Sequence, residues 1–343
     1  MAHDSQSPKR TRRTIGAVLL VVVAFAIAMR LRARHSPAEE LEHSADASPP
    51  SSASAPPPPA APASTHAAPA VAHYVSALLP KGTRVLALSS GAGTAIAVGE
   101  HGAVFRYELD HPTWKAEPPV TARTLRAVAQ QLDRVVAVGD DGTIVELVAG
   151  AWSAAASPTN RTLRAVAYSA YGVVAAGDGG TLVTRLGDGQ PWRVEPTVTR
   201  SDLFGACSGL RDLWVVGAGG TMLLRGPDGF TSTPPVTSNA LYAVACDDRG
   251  ATAVGAHGTL LARHGDVGWH EVPSGTTSAL YAVSAPIGTA SFLVVGERGT
   301  ILHVTNDVAA EPQSVDWTLR AATEGALGTW VGGDEGLLRR ATD

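Results

Sequence analysis

The sequence predicts an all-β fold, a seven-bladed β-propeller of four-stranded blades, carried behind an N-terminal transmembrane helix and a Pro-rich linker. Three observations predict the propeller. An apolar-Val-Gly-x-x-Gly pattern recurs seven times, with first glycines Gly99, Gly139, Gly177, Gly217, Gly255, Gly296 and, degenerate, Gly333. A Leu-x-Ala-Val-Ala pattern precedes each of them, starting at Val85, Leu125, Leu163, Leu203, Leu241, Leu280 and Leu319. Its offset to the glycine is constant in six repeats and slightly longer in the sixth. An aromatic residue (Trp114, Trp152, Trp192, Phe230, Trp269) stands at a constant distance before the next leucine. Fixed registers at a spacing of roughly 39 residues describe propeller blades, which cannot bury their sheet faces singly.

The N-terminal elements come first in the chain. Residues 1–13 form a basic tail, expected on the cytoplasmic side. Residues 14–34 read as a signal anchor: Thr14 to Met29 is an uncharged apolar run, flanked by Arg12 and Arg13 before it and by Arg30, Arg32 and Arg34 after it. At 1.5 Å per residue that run spans roughly 24 Å, and snorkelling arginines make up the difference to a ~30 Å hydrocarbon core. The competing reading is a cleaved secretory signal with Ala26-Ile27-Ala28 as its cleavage site, which the arginines just beyond it disfavour. Both readings export the C-terminal part of the chain. Residues 35–72 are a disordered Pro/Ala/Ser spacer with Pro56 to Pro59 at its centre and too few apolar residues to bury a core.

The propeller is expected over 73–343. In its second repeat, Leu125–Ala129 is a short inner strand and Val135–Val138 a fully apolar second strand. Gly139-Asp140-Asp141-Gly142 is a tight turn of residues that tolerate positive φ. Thr143–Leu147 then forms the third strand, and Trp152 opens the fourth. Strands apolar on both faces suit blades that are covered on both sides by neighbours. The last repeat ends after its third strand. Tyr74, meanwhile, stands as far before Val85 as the aromatic residue of the other repeats stands before its leucine. Tyr74–Ala77 is therefore expected to supply the missing fourth strand of blade seven, closing the ring and removing its open edge.

Composition narrows the function. Net charge is −4 and charged residues are 17% of the chain, so no basic field points to nucleic acid. Two cysteines exclude a disulfide scaffold and a four-cysteine zinc site. Cys207 and Cys246 fall near the ends of inner strands in adjacent blades; buried free thiols are the commoner outcome, and a disulfide is open to an exported domain. No phosphate loop, nucleophile elbow or metal-ligand spacing appears. Asp140, Asp141 and Asp178 have the oxygens calcium takes, but Asp and Gly are what such turns need anyway, so neither metal nor cofactor is expected.

Candidate binding residues cluster on one face. The hairpin between second and third strands and the loop entering the next blade emerge on the same side. The residue after each strand-opening apolar residue is Leu86, Arg126, Arg164, Phe204, Tyr242, Tyr281 and Arg320. Arg84, Arg123, Arg161 and Arg200 lie just before it. Arg84, Arg123, Arg161 and Arg200, with Phe204, Tyr242 and Tyr281, are the partner-binding candidates, a basic crescent beside an aromatic half. Arg126, Arg164 and Arg320 co-occur with Asp140–Asp141, Asp178 and Asp334 in the hairpins, whereas Phe204 and Tyr242 co-occur with Ala218 and Ala256. That covariation within one chain predicts structural ion pairs, and Tyr281 with Glu297 departs from it.

The VGxxG-T hairpins (Gly139 to Thr143, Gly255 to Thr259, Gly296 to Thr300) and the degenerate Asp-box turns Asp110-x-x-Thr113-Trp114, Asp188 to Trp192 and Asp266 to Trp269 resemble exported seven-bladed propellers related to photosystem II stability/assembly factors. More loosely, they resemble sialidase-type (BNR) Asp-box repeats. The resemblance covers the whole repeat region, 73–343. It implies the propeller fold; with the apolar N-terminal run, the Pro-rich spacer and the regular ring, the expected function is a non-catalytic, membrane-tethered scaffold that binds a protein partner. Residues 14–29 would hold it on the periplasmic side of the inner membrane, as a monomer with no nucleic-acid partner. The alternatives it leaves are a glycan-binding or sialidase-like glycoside hydrolase propeller and a photosystem II assembly factor proper. The regular blades argue against catalysis, because propeller enzymes concentrate chemistry in one irregular blade, and here only Pro286-Ile287-Gly288 in blade six breaks the rhythm.

Overall fold

A computed structural model describes residues 74–341 apart from 78, 92, 188, 210–211, 266, 287–290, 306–307 and 312–314. The expected basic tail, anchor and linker (1–72) lie outside the described residues, as do Asp188 and Asp266 of the Asp-box turns and Ile287 and Gly288 of blade six. Among the described residues no helix is long and apolar enough to cross a membrane.

Among the described residues, seven antiparallel four-stranded sheets make the propeller. The inner strands are Val85–Ser90, Leu125–Gln131, Leu163–Ser169, Leu203–Ser208, Leu241–Cys246, Leu280–Ser284 and Leu319–Gly325. Each packs against the inner strands of its two neighbours around the axis. The ring closes as the repeat phase predicts. Tyr74–Ser76 is the outer strand of blade seven, with Tyr74 opposite Arg340 and Ser76 opposite Leu338. N-terminal and C-terminal chain thus share one sheet.

The core is divided into seven inter-blade layers rather than one centre. Second strands feed two layers at once. In blade two, Val135 and Ala137 pack toward blade one while Val136 and Val138 pack toward blade three. Every residue of Val135–Val138 is buried, which explains why the strand is apolar without alternation. Six strand-opening leucines are fully buried and Val85 nearly so. Truncating such a leucine to alanine costs about 2–5 kcal/mol.

Both glycines of the hairpin motif are required, for different reasons. A Cβ on Gly139 would stand 1.9 Å from the Thr124 carbonyl oxygen, because the hairpin lies directly on the backbone entering its own inner strand. Gly142 has φ +70°, and a Cβ there would stand 2.0 Å from the Thr159 carbonyl oxygen in the loop leading to blade three. The motif therefore ties each blade to itself and, in blades one to six, to the next; in blade seven a Cβ on Gly336 would meet nothing. Its turn is a single 3-10 turn, Asp140–Gly142 in blade two, whose apex Asp141 takes φ +53°. The third strand starts at Ile144 rather than Thr143, because the Thr143 carbonyl accepts the Gly139 N–H to close the turn.

Candidate functional site

One irregularity repeats in all seven blades. The pairing of inner and second strands shifts register at the residue after the strand-opening apolar residue: between Leu125 and Ala127, Leu163 and Ala165, Leu203 and Gly205, and at the same point elsewhere. The bulged residues are Leu86, Arg126, Arg164, Phe204, Tyr242, Tyr281 and Arg320. A bulge re-aims its side chain out of the pleat. Here it places the seven side chains at the hairpin end of the inner strands, around the mouth of the axial channel.

On blades two, three and seven the re-aimed arginine meets its own hairpin. Arg126 Nε donates to Asp140 and its Nη2 lies 3.2 Å from Oδ2. Arg164 holds Asp178 in the same forked geometry. Arg320 Nε donates to Asp334 Oδ1 at 2.6 Å and Nη2 to Oδ2 at 3.2 Å. Blade six follows the same design with a hydroxyl, since Tyr281 Oη donates to Glu297 Oε1 at 3.0 Å. Tyr281 and Glu297 therefore keep the pairing that their residue types disguised. Burial, the hydrogen bond to Glu297 and that carboxylate's charge raise the Tyr281 pKa above its ordinary value.

A second layer sits outside the first. In several blades the residue two before the inner strand answers the hairpin apex. Arg123 Nη1 lies 2.8 Å from Asp141 Oδ2. Asn239 Oδ1 faces His257 Nδ1 at 3.4 Å, and Arg298 Nη2 donates to Ser278 Oγ at 3.2 Å. In blade three the apex is Gly179, so Arg161 in that position has no carboxylate opposite it; its Nη1 lies 2.6 Å from where a Cβ on Gly179 would stand.

These pairings redraw the basic crescent. Arg84 is not available: its Nε donates to Asp334 Oδ1 at 2.7 Å and its Nη1 to Glu100 Oε1 at 2.9 Å, bridging blades seven and one. Partial burial pushes the Asp334 carboxyl up, but hydrogen bonds from Arg320 and Arg84 outweigh it and hold the group below the usual carboxylate range. Arg126, Arg164 and Arg320 are likewise matched by acids. Asp140, Asp141 and Asp178 are each engaged by a guanidinium, and among the described residues no three or more His, Cys, Asp or Glu side chains converge on a metal-sized site. Arg161 and Arg200 are exposed and have no side-chain hydrogen bond or ion pair among the described residues. Arg123 is paired, but it and Asp141 are 63% and 57% exposed, so the pair is weak and exchangeable.

The aromatic half is continuous. Phe204 and Tyr242 have ring centroids 5.9 Å apart, and Tyr242 and Tyr281 are 5.2 Å apart. Arg164 lies 5.8 Å from the Phe204 centroid and Arg320 5.2 Å from the Tyr281 centroid, capping the arc at both ends. At the far end of the channel, Cys207 and Cys246 form a disulfide with Cα atoms 5.5 Å apart. The thiol expectation is corrected there, because inner strands converge at the axis more closely than repeat spacing alone reveals. That disulfide walls a cavity of about 700 Å³ lined also by Ser90, Val244, Ser284 and Thr323.

No protein-family model matches the chain, and no curated protein does. Among solved structures the chain is similar to "YCF48 bound to D1 peptide", with TM-score 0.64 and 14% identity over 80% of this chain and 96% of that one. It is also similar to YCF48 from Cyanidioschyzon merolae, with TM-score 0.61 and 14% identity over 78% of this chain and 98% of that one. The molecule is thus a seven-bladed propeller similar in fold to these two structures. The resemblance to photosystem II stability/assembly-factor propellers holds at the level of architecture.

Proposed function

We propose that the protein is a non-catalytic scaffold whose hairpin face binds an acidic segment of a partner protein. The observation that carries this reading is the pair of exposed, unpaired guanidiniums, Arg161 and Arg200, on loops entering adjacent blades beside the aromatic arc. Charge-assisted bonds to carboxylates are the strong ones, and among the described residues Arg161 is ion-paired to none, the nearby Asp202 carboxylate being engaged by the Gly179 N–H. A propeller of the same fold has been solved with a bound peptide, which supports peptide capture as a use of this architecture. The commitment of Arg126, Arg164 and Arg320 to hairpin aspartates argues against a sialidase-like site, which needs a free arginine cluster. The apolar run and Pro-rich stretch read in the sequence as anchor (14–34) and spacer (35–72), with the disulfide of the propeller, support a single-pass inner-membrane protein with the propeller on the periplasmic side, where disulfides persist.

The test uses the full-length chain and a fluorescent Asp/Glu-rich peptide. Arg161→Ala with Arg200→Ala is expected to weaken binding at least tenfold without lowering the thermal midpoint, since neither side chain holds the fold, and wild-type binding is expected to fall with added salt. Unchanged affinity in the double variant refutes the assignment.

A further inference from the structure

We propose that Phe204, Tyr242 and Tyr281 form the specificity element of this face, an aromatic arc that selects an aromatic side chain on the acidic partner segment. The inference rests on the acidic-segment reading above. Four observations lead to it.

The arc is built rather than incidental. All three rings sit on bulged residues, the one inner-strand position that the backbone turns toward the mouth. All three are half-buried, so each keeps part of a ring available. The arc is also unoccupied by the chain's own polar groups where it could have been filled. In blades four and five the hairpin residue that elsewhere carries the pairing acid is Ala218 or Ala256, and the Tyr242 hydroxyl makes no hydrogen bond among the described residues.

The arc's ends are electrostatically quiet. Arg164 and Arg320 lie over the outer rings, yet each is neutralised by Asp178 or Asp334. What the arc's two ends offer a ligand is therefore ring faces and edges, while in blade six the Glu297 carboxylate is held on the Tyr281 hydroxyl. Ring pairs prefer tilted or edge-on contacts at roughly 4.5–7 Å. Phe204–Tyr242 and Tyr242–Tyr281 are inclined by 49° and 32°, so the three rings do not lie in one plane and present both faces and edges along the arc.

Charge complementarity names the occupant. The free cations nearest in the blade order are Arg161 and Arg200, on the loops entering blades three and four, and blade four carries Phe204. A peptide carrying carboxylates and one aromatic residue can place the acids on the arginines and the ring on the arc. The two groups then divide the labour, with the arginines supplying sequence-tolerant affinity and the arc supplying discrimination.

The experiment compares two fluorescent peptides on the full-length chain, an Asp/Glu-rich octamer with one central Phe and the same octamer with Ala there. Wild type is expected to prefer the Phe peptide by roughly tenfold. Tyr242→Leu, which keeps apolar bulk, is expected to abolish the preference while still binding the Ala peptide; Tyr242→Phe is expected to retain it. Arg161→Ala with Arg200→Ala should weaken both peptides equally and leave the ratio intact. Equal wild-type binding of the two peptides overturns the aromatic reading alone. A preference that survives Tyr242→Leu overturns the assignment to the arc. Failure to bind either peptide overturns the acidic-segment reading and this one together. Displacement of the Phe peptide by a neutral hexose oligosaccharide would assign the arc to sugar stacking and overturn the peptide proposal.

Discussion

The two halves of the hairpin-side mouth share one backbone and carry opposite chemistry. Blades two, three and seven present Arg126, Arg164 and Arg320, each forked onto an aspartate of its own hairpin. Blades four, five and six present Phe204, Tyr242 and Tyr281 in ring contact. The bulge, the leucine behind it and the hairpin glycine are the same in both halves. Blade geometry and mouth chemistry are therefore separable: the buried positions specify the scaffold, and two half-buried positions per blade, the bulged residue and the first hairpin residue, specify the mouth. Arg84 belongs to the scaffold side of that division, since it bridges Glu100 and Asp334 across the seam where the ring closes.

The halves differ most in covalent support. The disulfide joins blades four and five, under the aromatic half, and closes a loop of sequence separation 39. Cys207→Ser with Cys246→Ser is expected to cost about 2–4 kcal/mol in denaturant titrations of the oxidised protein. A cost near zero would mean that the aromatic half supports itself as well as the polar half does.

A smaller effect is expected from converting one half into the other. Phe204→Arg alone places an unmatched cation in blade four, and Ala218→Asp alone an unmatched acid. Together they should reproduce the Arg164–Asp178 fork, with a favourable coupling of about 0.5–1 kcal/mol in a double-mutant cycle. Absence of coupling would show that the blade-four bulge aims its side chain differently from the blade-three bulge.

The smallest expected effect is a division of pH sensitivity. Asp334 is held below its ordinary pKa, so its contribution is present above the unfolded value near pH ~3.9 and is lost as pH falls through the folded one. Tyr281 is held above its ordinary pKa, so its contribution is intact below the unfolded value of about 10 and is lost as pH rises through the folded one. Asp334→Asn should flatten part of the acid limb of stability against pH, and Tyr281→Phe part of the alkaline limb. If either variant flattens the opposite limb, the two halves are coupled rather than independent.

The ring is readable in the sequence because its determinants are local and repeated. A glycine that must approach a backbone carbonyl, a buried leucine and a fully apolar second strand recur at one period, so blade number, phase and the closing role of Tyr74 follow from counting. The polar pairs at Arg126, Arg164 and Arg320 are partly readable, because a bulged residue and its hairpin change together within one chain. Tyr281 and Glu297 escape that reasoning, since charge matching does not register a hydroxyl donating to a carboxylate. Arg84 escapes it too, since its partner Asp334 is far away along the chain and becomes its neighbour only when the ring closes.

Periodicity and burial patterning thus settle the architecture before any coordinate is needed, because each blade repeats the same short-range packing problem and solves it with the same residues. Which arginines remain free, whether Cys207 meets Cys246, and whether three aromatic side chains form one arc depend on the closed ring. Those are contacts between repeats, their distances are set by the convergence of inner strands on the axis, and no spacing along the chain encodes them.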